Sequence, residues 1–205
     1  MNDEINNSNI IGFLKVFDPK TNEIFFEGNN AIHFENISES MASSLSNKTN
    51  GYIYKMAFGN GGTSVDPTGI ITYLPANSTG QNADLYNETF SKVVDDNSLT
   101  NTDTTRNNLS VVHTPGKVYT DILVSCLLDY REPAGQQAFD NSTDLNGEFV
   151  FDELGLKTWN GSGTELRLIT HVVFHPVQKS QILYRVRVFY GLAYMLMFHH
   201  CLGAI

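Results

Sequence analysis

The stretch from Phe149 to Tyr190 alternates apolar and polar residues too regularly for a helix, and this limits the fold more than any other feature. In its middle run Leu166, Leu168, Thr170, Val172 and Phe174 fall on one face, and Arg167, Ile169, His171, Val173 and His175 on the other. The last run repeats the pattern, with Ile182, Tyr184, Val186, Val188 and Tyr190 opposed to Arg185 and Arg187. A period of two over runs of this length predicts antiparallel strands covering a core. Trp159-Asn160-Gly161-Ser162-Gly163 reads as the first turn between runs. The second spans 176–180, where Pro176 lacks the N–H that a ladder needs.

Upstream, the same reading continues with one change of period. Residues 1–11 read as a polar arm, 12–190 as one β-rich domain, and 191–205 as an apolar tail. Gly12–Phe17 and Glu23–Glu27 read as short strands flanking Asp18-Pro19-Lys20-Thr21-Asn22, a β-turn, and the period changes after Gly28-Asn29-Asn30. Phe34, Ile37, Met41, Ala42 and Leu45 then recur every three or four residues, which predicts a short amphipathic helix over 35–46. Asn36 or Ser38 would cap it and Asn47 would end it. Further strands are expected at Tyr52–Phe58, within Asp84–Val94, and at Leu109–Val112 and Val118–Tyr130. In the last of these, Leu123 and Leu127 opposite Val124, Cys126 and Leu128 suggest burial on both faces. The fold class is therefore mainly β: an antiparallel β-sandwich-like domain with one short N-terminal amphipathic helix and long polar loops.

Chemistry is harder to find. A net charge of −9 argues against a nucleic-acid binder, which needs a basic face. The start, MNDEINNSNI, has no basic region and no apolar run, so no signal peptide is expected. Residues 191–205 read as a buried or partner-covered segment; a membrane anchor and a tail read in an altered frame are the alternatives. Gly59-Asn60-Gly61-Gly62-Thr63 follows a strand but lacks both phosphate-loop patterns and a following helix, so it reads as a structural turn. Asp95, Asp96, Asn97 and Asp103 lack the spacing of a calcium loop. His171 and His175, with His199, His200 and Cys201, lack zinc spacing and read as surface histidines. No nucleophile signature is present, and no cofactor or metal is expected. Asp152-Glu153 is the one adjacent carboxylate pair of interest. The apolar phase slips there, from Phe149 and Phe151 to Leu154 and Leu156, which predicts a bulge and a Glu153 that accepts hydrogen bonds from loop amides.

Three short motifs carry a resemblance. Gly59, Gly61 and Gly62 form a glycine-rich turn after a strand. Glu153-Leu154-Gly155-Leu156 fits an E-[IL]-G-L segment, and Pro176-Val177-Gln178-Lys179 a Pro-x-x-Lys element. In this order, with the upstream helix and the long strand DILVSCLLDY, they resemble the tail-fibre and tail-collar attachment domains, and related small virion proteins, of tailed bacteriophages. The resemblance spans 34–188 and implies a non-enzymatic virion structural protein, assembled in the host bacterial cytoplasm. Its expected place is as an adaptor or accessory subunit of tail, baseplate or neck, or as a capsid decoration protein. The implied partners are other virion proteins and copies of the chain itself. The segments 64–83 and 95–108, with the tail, are the expected contact surfaces. The apolar tail has no counterpart in the pattern. A carbohydrate- or receptor-binding β-module, with Trp159 and Tyr130 stacking on a host-surface glycan, is the second reading.

Overall fold

A computed structural model describes residues 10–117, 119–129, 132–133, 150–161, 166–178 and 184–193. In chain order, β1 (Ile10–Phe17) and β2 (Ile24–Ile32) lead into α1 (Phe34–Leu45). There follow β3 (Ile53–Gly59), a small hairpin of β4 (Thr63–Val65) and β5 (Ile71–Tyr73), β6 (Glu88–Val93), β7 (Asn108–His113) and β8 (Tyr119–Leu128). β9 (Val150–Trp159), β10 (Leu166–Gln178) and β11 (Tyr184–Ala193) complete the order. Every recorded pairing is antiparallel, as the alternation predicts. The fold is mainly β and sandwich-like, with one short helix.

Nine strands run in the order β6-β3-β9-β10-β2-β1-β11-β8-β7. β2 belongs to both layers. Its residues from Ile24 to Asn30 pair with β1, while Ala31 and Ile32 pair with His171 and Thr170 of β10. One layer is thus β7-β8-β11-β1-β2 and the other β2-β10-β9-β3-β6. They share a core: Leu14 and Val16 of β1 and Val124, Cys126 and Leu128 of β8 face Met56, Phe58, Leu154, Leu156, Val172 and Phe174. Burying these side chains supplies the main favourable free energy, on the order of 1.5–3 kcal/mol for each large one. Cys126 belongs wholly to this core, and burial pushes its thiol up to about 12. Ser125 and Leu127, on the other face of β8, are also buried, as expected for a strand covered on both sides.

Several expectations need correction. Ile10 and Ile11, assigned to the arm, belong to β1, and Gly191, Leu192 and Ala193, assigned to the tail, continue β11. They pair with β1 and β8, so the ladder extends past the change in composition. β2 runs through Gly28-Asn29-Asn30 to Ile32, because Asn30 pairs with Gly12, whose missing side chain leaves room for the Asn30 carboxamide. The helix spans Phe34–Leu45, one residue early. Its cap is His33 rather than Asn36 or Ser38: the ring Nδ1 accepts from the Asn36 N–H at 3.2 Å. Asn47, with φ +55°, does follow its end.

Pro176 lies inside β10 and does not end it. The ladder with β9 is irregular between Val173 and Val177, so the missing N–H of Pro176 breaks no regular pairing. A second shift, between Leu168 and Thr170, makes Ile169 a surplus residue. Ile169, Val172 and Phe174 consequently face the core, and Leu168 faces outward onto Leu85 and Ala57, contrary to strict alternation. The last run, β11, leaves the second run altogether and pairs between β1 and β8.

Candidate functional site

β9 is the centre of its layer, with β3 on one side and β10 on the other, and its residues from Val150 to Thr158 are all buried. Phe151 and Leu154 both enter the core, so the phase does slip at Asp152-Glu153, and both carboxylates emerge toward the loops over the outer face. Asp152 Oδ1 accepts the Gly62 N–H at 2.9 Å, and Oδ2 accepts the Thr63 N–H at 2.8 Å together with the Thr63 hydroxyl. Glu153 Oε1 accepts the Gly61 N–H at 3.1 Å and the Asn87 N–H at 2.7 Å. Its Oε2 accepts the Tyr86 N–H at 2.8 Å and the His171 Nε2–H at 3.0 Å. Four donors on two oxygens fit an ionised carboxylate, which can only accept.

His171 is fully buried, not on the surface, because its two ring nitrogens are both used inside. Nδ1 accepts the Asn77 N–H at 2.7 Å, so the proton sits on Nε2 and points at Glu153. His33, also fully buried, repeats the device: its Nδ1 takes the Asn36 N–H, which leaves Nε2–H to donate to the Gly80 carbonyl at 2.9 Å. Asn36 adds bonds from its amide to the carbonyls of Leu168, at 2.9 Å, and Gln81. Lys157, further along β9 on the same side, is nearly buried and reaches Asp84 and Glu88 at 2.5 Å each. The segment from 60 to 88 is thus tied down by two carboxylates, two histidines and a lysine.

The charges respond as this geometry requires. Burial, the largest single influence, pushes Glu153 upward, but the bonds from His171, Asn87, Tyr86 and Gly61 together bring it below its ordinary value. Asp152 ends above its ordinary value: burial raises it, Thr63 and Gly62 oppose this, and the charge on Glu153 adds to it. Lys157 ends above its ordinary value, because its bonds to Asp84 and Glu88 outweigh the burial that would lower it.

The glycines of the motifs have a visible reason for their type. A Cβ on Gly59 would stand 2.5 Å from the Asn87 carbonyl oxygen, and one on Gly61 would stand 2.7 Å from the Asn87 nitrogen that Glu153 holds. Gly155 lies beneath Leu85 and Leu168, where a Cβ would meet both side chains at under 3 Å. Gly62 lies against Val173 and Glu153. Gly59, Gly61, Gly62, Glu153 and Gly155 therefore converge on one brace, with Pro176 in the irregular part of β10 alongside. Lys179 lies outside the described residues, as do Tyr130, His199, His200 and Cys201.

The other candidates disperse. Trp159 packs edge-on against Tyr54, ring centroids 4.9 Å apart. His175 is exposed and meets the Tyr73 hydroxyl at 3.1 Å. Asp95 accepts the Asn97 N–H, and Asp103 pairs with Arg106. The 95–107 loop is ordered by its own side chains: the Asn101 amide bonds the carbonyls of Asp95 and Asn107, and Asn107 Oδ1 accepts the Leu127 N–H. Among the described residues no group of three or more His, Cys, Asp or Glu is placed to hold a metal, and no helix is long and apolar enough to cross a membrane. Sequence reasoning missed His33, Lys157 and the amides of Tyr86 and Asn87. Backbone donors leave no mark in a sequence, and Lys157 reads as an ordinary outward strand lysine. No family model, curated protein or solved structure matches the chain.

Proposed function

We propose that this chain is a non-enzymatic structural subunit of a tailed-bacteriophage virion. It would serve the tail, baseplate or neck as an adaptor or accessory protein, and act by assembly with other virion proteins and with copies of itself. The observation that supports this reading is the convergence on Glu153. The glycine turn at Gly59–Gly62 and the Glu153-Leu154-Gly155-Leu156 segment lie about ninety residues apart, yet they form one hydrogen-bonded unit. Two of the three motifs that carry the resemblance thus form one structural unit. The brace also has no spare chemistry, since every Glu153 oxygen and both His171 nitrogens are engaged in binding protein groups. A general base needs a lone pair that a substrate can reach.

What the brace does is hold a surface in shape. The segment it fixes exposes Val65, Ile70, Tyr73, Leu74 and Tyr86, which suit the adaptable contacts of an assembly interface. The reading is tested on particles purified by density gradient from a host that carries the gene. Mass spectrometry should find the chain banding with them at a fixed ratio to the other virion proteins. A chain that stays wholly in the unbanded fraction overturns it.

A further inference from the structure

The nine-stranded order ends in two edges that are built differently. β6 is a blunted edge. It carries Glu88 and Lys92, its ladder with β3 shifts at Phe58 and Gly59, and the Lys92 ammonium is drawn to the Leu127 carbonyl and to Glu132. Charges and irregular register are the usual protection of a sheet edge. β7 has neither. Its sequence, Asn108-Leu109-Ser110-Val111-Val112-His113, holds no proline and no acidic or basic side chain other than histidine, and its six pairs with β8 run without a shift. Among the described residues no strand lies beyond it.

Val111 is in register with Ile122 and Val112 with Asp121, so the two valines point to opposite faces. They are nevertheless 71% and 50% exposed. Both faces of the strand are thus exposed at this end, and among the described residues no strand pairs with its outer backbone edge.

We propose that β7 is an open pairing edge, through which two copies of this chain join antiparallel across a twofold axis. The occupant is a second copy because the strand is complementary to itself. With the axis perpendicular to the sheet, directly opposed residues must share a face. Val111 then meets the Val111 of the second copy, Ser110 meets Val112, and Leu109 meets His113. No like charges oppose one another, although the chain as a whole carries −9. β-branched residues suit a pleated surface and pack against their cross-strand neighbours. One six-residue strand contact buries less than the ~1,200 Å² of a standard interface, so the dimer is weak and dependent on concentration. The proposal deepens the assembly reading and rests on it for its use in a particle.

The contact is tested in solution, on the full chain carrying Cys201→Ser. In that background Val111→Cys should form a disulfide-linked dimer on mild oxidation. Opposed residues in such a pair lie about 4.5–5.5 Å apart at Cα, which is within disulfide reach. Ser110→Cys should not, because its own copy lies on the diagonal, roughly 7–8 Å away. Val111→Lys should shift light-scattering mass toward the monomer at concentrations where the parent is dimeric. Both positions are exposed, and unchanged circular dichroism verifies that the variants fold. A parent that stays monomeric to near-millimolar concentration overturns the proposal. So does equal cross-linking of the two cysteine variants, or an oligomer that Val111→Lys leaves intact. If the chain still bands with particles after such a result, the assembly reading stands and only this edge is removed.

Discussion

Two long connections of this molecule are held by opposite means. The segment from 60 to 88 is fastened from beneath by groups that are nearly or wholly dry: Asp152, Glu153, His33, His171 and Lys157. The loop from 95 to 107 is knit from within by Asn101, Asn107 and Asp103, and closed by the half-exposed Arg106. Water can replace a lost partner in most of the second loop but does not reach the buried side chains that fasten the first. The consequence of the same kind of substitution therefore differs between them, and so does its dependence on pH and salt.

The largest effect is expected at Glu153. Replacing it with alanine leaves three backbone N–H groups and the His171 Nε2–H without acceptors in a buried place. No buried charge is left behind, but each buried donor without a partner costs about 1–3 kcal/mol, so the total should reach about 3 kcal/mol or more. The check is the urea midpoint at fixed m-value, with Glu153→Gln as a shape-preserving companion. Glutamine keeps one acceptor oxygen but turns an amide toward donors, so most of the loss should remain. A cost below about 1 kcal/mol for both variants would mean that the loops are held by packing on Leu85 and Leu168 and not by the carboxylate.

Asp152 should behave differently although it is the adjacent residue. Its substitution by asparagine is expected to cost about 1–2 kcal/mol, and the two carboxylates should answer pH with opposite sign. The folded chain keeps Glu153 charged where the unfolded chain has already taken a proton. Its contribution is complete above the ordinary glutamate range and fades as the pH falls through the lower folded value. The folded chain protonates Asp152 first, so the penalty for its charge lifts as the pH falls through the raised folded value. Unfolding free energies measured across acid pH should show the gap between the parent and Glu153→Gln shrinking, and the gap to Asp152→Asn widening. Parallel curves would show that the two groups do not titrate as their surroundings dictate.

Much of the brace could be read before the fold was known, and the parts that could not share one cause. The slip from Phe149 and Phe151 to Leu154 and Leu156 is local, so the phase change at Asp152-Glu153 and the use of Glu153 by loop amides were legible, although the surplus residues of the ladder lie opposite, in β10. The donors were not: Gly61, Tyr86 and Asn87 contribute main-chain N–H groups, which every residue but proline possesses. His171 looked like a surface residue because the sequence sets it near Arg167 and Arg187, while the Asn77 amide that fills its second nitrogen lies 94 positions away. Strict alternation misplaced Leu168 and Ile169, since a bulge depends on the partner strand and not on the run itself. The change of layer within β2 is likewise fixed by β10 and β1, which the local pattern of β2 does not contain.

The smallest effects belong to the second loop, and they divide it in a way that sharpens the contrast. Asn107 is its most deeply buried anchor, at 1% exposure, where Oδ1 accepts the Leu127 N–H at 2.9 Å and Nδ2 donates to the Asp103 carbonyl at 3.1 Å. Asn107→Ala should cost about 1–2 kcal/mol, because both partners lose their bond and Leu127 is itself buried. Arg106 spans Asp103 and Asp129 with a side chain 46% exposed. Solvent screens both pairs, and holding a long side chain in one geometry opposes what remains, so Arg106→Ala should fall within about 0.5 kcal/mol of the parent. The two variants are to be compared by urea unfolding at low salt and again at high salt. The Asn107 loss should be indifferent to salt, and the small Arg106 loss should vanish. If Arg106→Ala instead matches Asn107→Ala and resists salt, its two carboxylate partners act as a desolvated network. The loop would then be held as the brace holds its own segment, by buried charge, and the division between the two connections would fail.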